Sequence, residues 1–211
     1  MPRDFLPIGF TAENPMFVAV NPSLGVASLS QLIALAKQRQ VSYAVTGVGR
    51  LTHLTGELLQ REAGIKLLMV PYTTGLGNAI SDVIGGRVNM IIEGYSGIAA
   101  AVRAGQLKLI AVASAERLSD FPDLPTVAET IPGFSATGWQ ILVAPVGTPE
   151  NIISKVGDDL RAVITDPEFK AQITVRGAYA RPMSPAETTA FVHAEQAKWK
   201  PVVERISGKA Q

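Results

Sequence analysis

Cysteine is absent from this 211-residue chain, which excludes thiol catalysis, disulfides and cysteine-ligated metals. Histidine is nearly absent: His53 and His193 lie far apart. Without an HxxxH or HExxH spacing, a histidine metal site is not expected. No stretch approaches the roughly 18 continuous apolar residues of a membrane span. The opening Met1-Pro2-Arg3-Asp4-Phe5 has no secretory hydrophobic region, so the sequence as it stands carries no export signal. There is no basic tract and the net charge is +1, which argues against nucleic acid as a partner. Enzyme signatures are missing as well. There is no Gly-x-Ser-x-Gly elbow, no carboxylate pair in a motif context and no Walker lysine. A nucleotide-binding enzyme is therefore a poor alternative, and no cofactor is expected.

With 47% hydrophobic and 18% charged residues, the chain buries a real core and makes one large domain or two small ones. Apolar strands predicted at Met16–Val20, Ser42–Val45, Lys66–Val70, Val88–Ile92 and Leu107–Ala113 alternate with helices. Those helices are expected at 29–37, 51–63, 76–84 and 98–104. Ser28 reads as an N-cap, Gly64 as a C-cap and Thr126 to Glu129 as a capping box. This alternation predicts a parallel, doubly wound α/β sheet. A loop-rich boundary is expected over 114–138. Beyond it lie strands near 139–144 and 178–181 and three helices, too little for an independent core.

The most informative segment runs from Tyr43 to Leu58 and reads as strand, glycine turn, helix. Gly47 and Gly49 permit positive φ and close backbone approach. Such a turn aims free N–H groups at the positive end of a helix and suits a carboxylate or phosphate. A purely steric turn with a capping threonine is the competing explanation. The Gly47-x-Gly49 pair lacks the third glycine of a dinucleotide fingerprint.

Several blocks resemble one family in its own order. They are Asp4–Ile8, Val18–Ser23, Tyr43–Glu57, Val70–Tyr72 with Gly75, Leu109–Arg117, Phe121–Glu129 and Ala144–Pro149. Together they resemble the tripartite tricarboxylate transporter receptors, the Bug-type extracytoplasmic solute-binding proteins. The resemblance implies a two-lobed, type II periplasmic-binding-protein-like α/β fold that holds small carboxylates in its cleft. It divides the chain into a remnant of lobe 1 and crossover (1–13), an inserted ligand-binding lobe (14–138) and a mostly helical return to lobe 1 (139–211). The family's signal peptide and Pro-Gly-Gly segment have no counterpart here, so about a hundred residues, most of one domain, are expected to be missing from the first lobe. The implied partners are a small organic acid and the membrane permease subunits, in the periplasm, with no catalysis. Self-association through the sheet edge left by truncation is a further expectation. A truncated paralogue that binds no solute and serves in interactions is the alternative.

Thr46, Gly47, Gly49 and Thr52 are the leading ligand-binding candidates, on the helix N-terminus argument. Arg50 and Leu51 stand where the family usually carries small hydroxyl residues. Arg50 either supplies a bidentate grip or is a solvated helix-end residue. Tyr72 and Glu93 each leave a strand, where cleft residues gather in open α/β sheets. Tyr72 lines the cleft or is a half-buried tyrosine with a wet hydroxyl. Glu93 holds a ligand amine or hydroxyl, or makes a hinge-side hydrogen bond. His53 is expected to pack or cap, and Trp139 to pack.

Overall fold

The computed structural model describes residues 4–208. The first three residues of the expected segment 1–13, and the last three of 139–211, lie outside the described residues. The chain divides into two compact units. One is Pro15–Thr137, here the sheet unit. The other, the flanking unit, combines the chain up to Asn14 with the chain from Gly138 onward.

The sheet unit is built from β1 (Phe5–Val20, entering it at Pro15), α1 (Leu29–Gln38), β2 (Val41–Val45), α2 (Leu51–Ala63), β3 (Leu67–Pro71), α3 (Leu76–Ile84), β4 (Met90–Gly94), α4 (Tyr95–Arg103) and β5 (Lys108–Val112). Helix ends follow the sequence punctuation. Ser28 accepts a bond from the Gln31 N–H at the start of α1, and Gly64 closes α2 in the left-handed region with φ 61°. The strand order is β3-β2-β4-β1-β5.

β2 pairs parallel to both β3 and β4. The expectation of an all-parallel sheet is corrected by β1, which lies antiparallel between β4 and β5. Met16 to Val20 are all buried. A strand covered on both faces shows a continuous apolar run whichever way it points.

Phe17, Val18, Ala19 and Val20 of β1 meet Ile91 and Ile92 of β4 and Ile110 of β5 at the centre of the core, each no more than 1% exposed. Leu32, Leu59, Val83 and Ile98 cover it from α1 to α4, also fully buried. Phe17, Tyr95 and Phe121 pack as an aromatic trio with centroids 4.8 to 5.5 Å apart. The loop after β5 is fixed by the Thr126–Glu129 capping box, and Arg117 pairs with Glu129. That guanidinium holds the Glu129 carboxyl down at about 2.

The flanking unit contains the first part of β1, β6 (Thr137–Pro145), α5 (Glu150–Thr165), α6 (Pro167–Thr174), β7 (Tyr179–Ala180) and α7 (Pro185–Gly208). β6 and β7 both pair with β1, β7 through Ala12↔Ala180 and Glu13↔Tyr179. Phe10 is fully buried and packs edge-on to Phe191 at 5.0 Å. Trp139, half-buried, packs on the same Phe191 at 5.8 Å, a packing role within this unit. Among the described residues no helix is long and apolar enough to cross a membrane.

Candidate functional site

The three parallel strands of the sheet unit end side by side, with Val45 beside Pro71 and Ala44 beside Ile91. From β2 the chain passes through α2 outward to β3. From β3 it returns through α3 to β4, on the other side of β2. The connections therefore diverge about the β2–β4 seam, and a crevice opens beyond the strand C-termini at such a switch point. A cavity of about 520 Å³ occupies it. Thr46, Arg50, Leu51 and Thr52 line it from the β2–α2 turn, Gly75 and Leu76 from the start of α3, Glu93 from the end of β4 and Met16 from β1.

Two helix N-termini face this cavity without side-chain caps. Arg50 is the N-cap of α2 and Gly75 the N-cap of α3, and neither helix has a capping side-chain bond. The first intrahelical bond of α2 runs from the Leu54 N–H to the Arg50 carbonyl. The N–H groups of Leu51 and Thr52 thus have no acceptor within the helix and carry its partial positive charge. The Thr52 hydroxyl is buried without a hydrogen-bond partner, and the residue is 8% exposed. A buried hydroxyl left unpaired is costly unless a ligand or water completes it.

The two turn glycines do not line the cavity. Gly49 adopts φ +81°, a conformation that favours glycine, and its N–H donates to His53 Nδ1 at 3.0 Å. His53 is thereby a turn-closing residue with its proton on Nε2, and the Gly49 N–H is withdrawn from any anion. Gly47 accepts a bond from the Arg50 N–H at 3.1 Å. A Cβ at Gly47 would lie 2.6 Å from Arg50 Cδ, so glycine leaves room for the arginine stem to fold back across the turn.

Tyr72 is also outside the lining. Its hydroxyl donates to Asp82 Oδ2 at 2.6 Å, and Asp82 is held in turn by Arg87. Burial and that bond push the Tyr72 hydroxyl up to about 12. The Tyr72 bond and Arg87 hold the Asp82 carboxyl below its ordinary range. This cluster braces the β3–α3 connection.

Glu93 stands inside the cavity. Its Oε1 accepts from the Gly94 N–H at 2.9 Å, and its Oε2 accepts from Thr46 Oγ1 at a long 3.4 Å. Burial pushes its carboxyl above the usual range, against the Gly94 and Thr46 bonds and the Arg50 charge. Leu51 lines the cavity as well, and Leu76, Gly75 and Met16 are lining residues that the sequence did not single out as site residues. Gly75 carried a usable signal, since glycine after a strand and before an apolar helical run marks an N-cap. Among the described residues no group of three histidine or carboxylate side chains is placed to hold a metal ion. The arrangement supplies donors for a small anion and holds one carboxylate beside them.

The profile described as "Tripartite tricarboxylate transporter family receptor" matches residues 2–207. Among curated relatives, Protein BugT of Bordetella pertussis is 32% identical over 210 residues, covering 98% of this chain and 64% of the relative. A UPF0065 protein of Bordetella bronchiseptica is 28% identical over 207 residues, covering 98% and 62%. The chain thus spans just under two thirds of these relatives' length. Among solved structures, Rpa4515 of R. palustris with adipate superposes with TM-score 0.82 at 30% identity, covering 97% of this chain and 69% of that one. MatC from Rhodopseudomonas palustris with bound malate gives TM-score 0.76 at 27% identity, covering 94% and 69%. With the match running almost end to end and the type II binding-protein fold beneath it, the chain belongs to the tripartite tricarboxylate transporter receptor family.

Proposed function

We propose that this chain captures a small organic acid at the β2–α2 turn, as the solute-binding part of an extracytoplasmic receptor that supplies a tripartite tricarboxylate-type permease. It performs no chemistry. The observation that carries this reading is the meeting of two uncapped helix N-termini and the unpartnered Thr52 hydroxyl on one cavity. A carboxylate there accepts from backbone N–H groups at the positive ends of α2 and α3 and completes the Thr52 hydroxyl. Arg50 adds a full positive charge at the rim. Two structural neighbours were solved with adipate and with bound malate, which supports small carboxylates as the ligand class. Within this reading residues 14–138 form the ligand-binding lobe, Thr46, Arg50, Thr52 and Glu93 touch ligand, and Gly47 and Gly49 shape the turn that presents them.

The test is calorimetric titration and thermal melting of the chain with mono- and dicarboxylates, adipate and malate among them. A true ligand at a hundred times its dissociation constant adds about 2.7 kcal/mol of stability. Thr52→Asp places a carboxylate in the first turn of α2, where the helix favours it, so the fold persists while an incoming anion is repelled. Like-charge juxtaposition of this kind costs several kcal/mol, so affinity falls at least about 100-fold. Undiminished binding by Thr52→Asp, or no response to any acid, overturns the assignment.

A further inference from the structure

Resting on that reading, we propose that the cavity selects an acid that also carries an ammonium group, an amino acid whose carboxylate lies at the N-termini of α2 and α3 and whose ammonium lies on Glu93. Among the side chains lining the cavity, Glu93 is the one whose charge opposes an anion. A carboxylate beside uncapped helix N-termini repels the dianion that those N-termini would otherwise attract. It also competes for their partial positive charge. A site built only for dicarboxylates gains nothing from it.

Glu93 is placed with some care. An ionised carboxylate offers about four acceptor positions. Gly94 and Thr46 use two, the second over 3.4 Å. Among the described residues Glu93 has no ion pair within contact distance, Arg50 included, although both line the cavity. The Arg50 stem is turned back over Gly47. Gly97 of α4 makes room for the glutamate: a Cβ there would lie 3.1 Å from Glu93 Cγ and 2.8 Å from Leu76 Cδ2. The side chain is therefore lodged between α4 and the start of α3, with acceptor capacity to spare. A half-buried carboxylate in that state is completed by a cation with hydrogen atoms to donate, and an ammonium fills both needs. Burial also favours the protonated carboxyl, and an ammonium reverses that preference by neutralising the charge.

The charged groups facing Glu93 are Arg50 from the β2–α2 turn, the helix ends of α2 and α3, and the start of α4, whose N-cap Gly94 donates its N–H to Glu93 Oε1. Asp82 and Arg87 are tied to each other and to Tyr72. If Arg50 swung in to neutralise Glu93, the ammonium would add nothing, and that is the rival outcome.

The experiment compares matched pairs by calorimetry at neutral pH: L-aspartate with succinate, L-glutamate with glutarate, L-alanine with propionate and L-phenylalanine with 3-phenylpropionate. In the wild-type chain the amino member of the preferred pair binds at least tenfold more tightly. Glu93→Gln keeps the size and the acceptor for the Gly94 N–H, and it abolishes or reverses that preference. Equal or tighter binding of the desamino acid to the wild type overturns the inference and leaves the carboxylate-receptor reading standing. So does a preference that survives Glu93→Gln. Failure of every acid in the panel to bind overturns both.

Discussion

Glu93 sets a conflict between ligand recognition and stability at the scale of one residue. Burial holds its proton more tightly in the folded chain than in the unfolded chain. In the pH window between its ordinary value and its raised one, the folded state therefore binds more protons. Stability falls as pH rises through that window and stays lower above it. Glu93→Gln removes the titration while keeping the Gly94 bond. Its ligand-free melting temperature should exceed the wild type's at neutral pH, and the gap should close below the ordinary glutamate range. A gap that does not change with pH would mean the carboxyl is not desolvated. The other site residues show what a sequence discloses at this scale. That Thr46, Arg50, Thr52 and Glu93 share one cavity was legible because each sits where a strand ends or a helix begins, and those positions converge in an open α/β sheet. The loss of the Gly49 N–H to His53 and the turn of Tyr72 toward Asp82 were not. Each depends on a side-chain rotamer reaching a partner four or ten residues away.

At the scale of elements, the legible parts were those with both a period and punctuation. The expected spans of α2 and α3 match Leu51–Ala63 and Leu76–Ile84, because apolar spacing and a flanking glycine fix both ends. β1 was the main miss. The apolar run marks a strand only over Met16–Val20, and the observed one runs for 16 residues from Phe5, through Pro7 and Pro15. Proline removes a ladder donor and reads as a break, yet it is tolerated where its missing N–H faces no partner. The antiparallel direction of β1 was equally hidden, since buried strands of either direction look alike in sequence. The packing of α3 against α4 yields a test of how the site is supported. Gly97→Ala gains up to about 1 kcal/mol of helix propensity in α4. Its Cβ displaces the Leu76 Cδ2 methyl and presses on Glu93 Cγ, and both residues line the cavity. The variant should therefore melt no lower than the wild type while its ligand affinity drops by about tenfold, the equivalent of 1.4 kcal/mol. Unchanged affinity with the predicted melting behaviour would show that Glu93 and Leu76 adjust without consequence.

For the whole molecule, the apolar surface is unevenly distributed between the two units. Of the largest fully buried side chains among the described residues, Phe10 and Ile164 belong to the flanking unit, while Phe17, Leu32, Leu59, Met90, Ile91, Ile92 and others fill the sheet unit. The exposed large apolar side chains show the opposite trend. Val48 and Leu68 are in the sheet unit, whereas Phe5, Leu6, Leu142, Val146, Ile152, Val163, Val175 and Val203 are all in the flanking unit. Each buried side chain of this size contributes about 1.5 to 3 kcal/mol relative to exposure. Local opening free energies track such burial, so the sheet unit should be the more stable part. Amide hydrogen exchange checks this directly. Protection in β2, β4 and β5 should exceed that in α5, α6 and α7 by at least about tenfold, or 1.4 kcal/mol. A carboxylate ligand should then raise protection first around Thr46–Thr52 and Gly75–Leu76, because the binding energy enters through the helix ends that it touches. Equal protection in the two units would mean that one cooperative transition joins them, and the ligand's effect would then spread evenly over the chain.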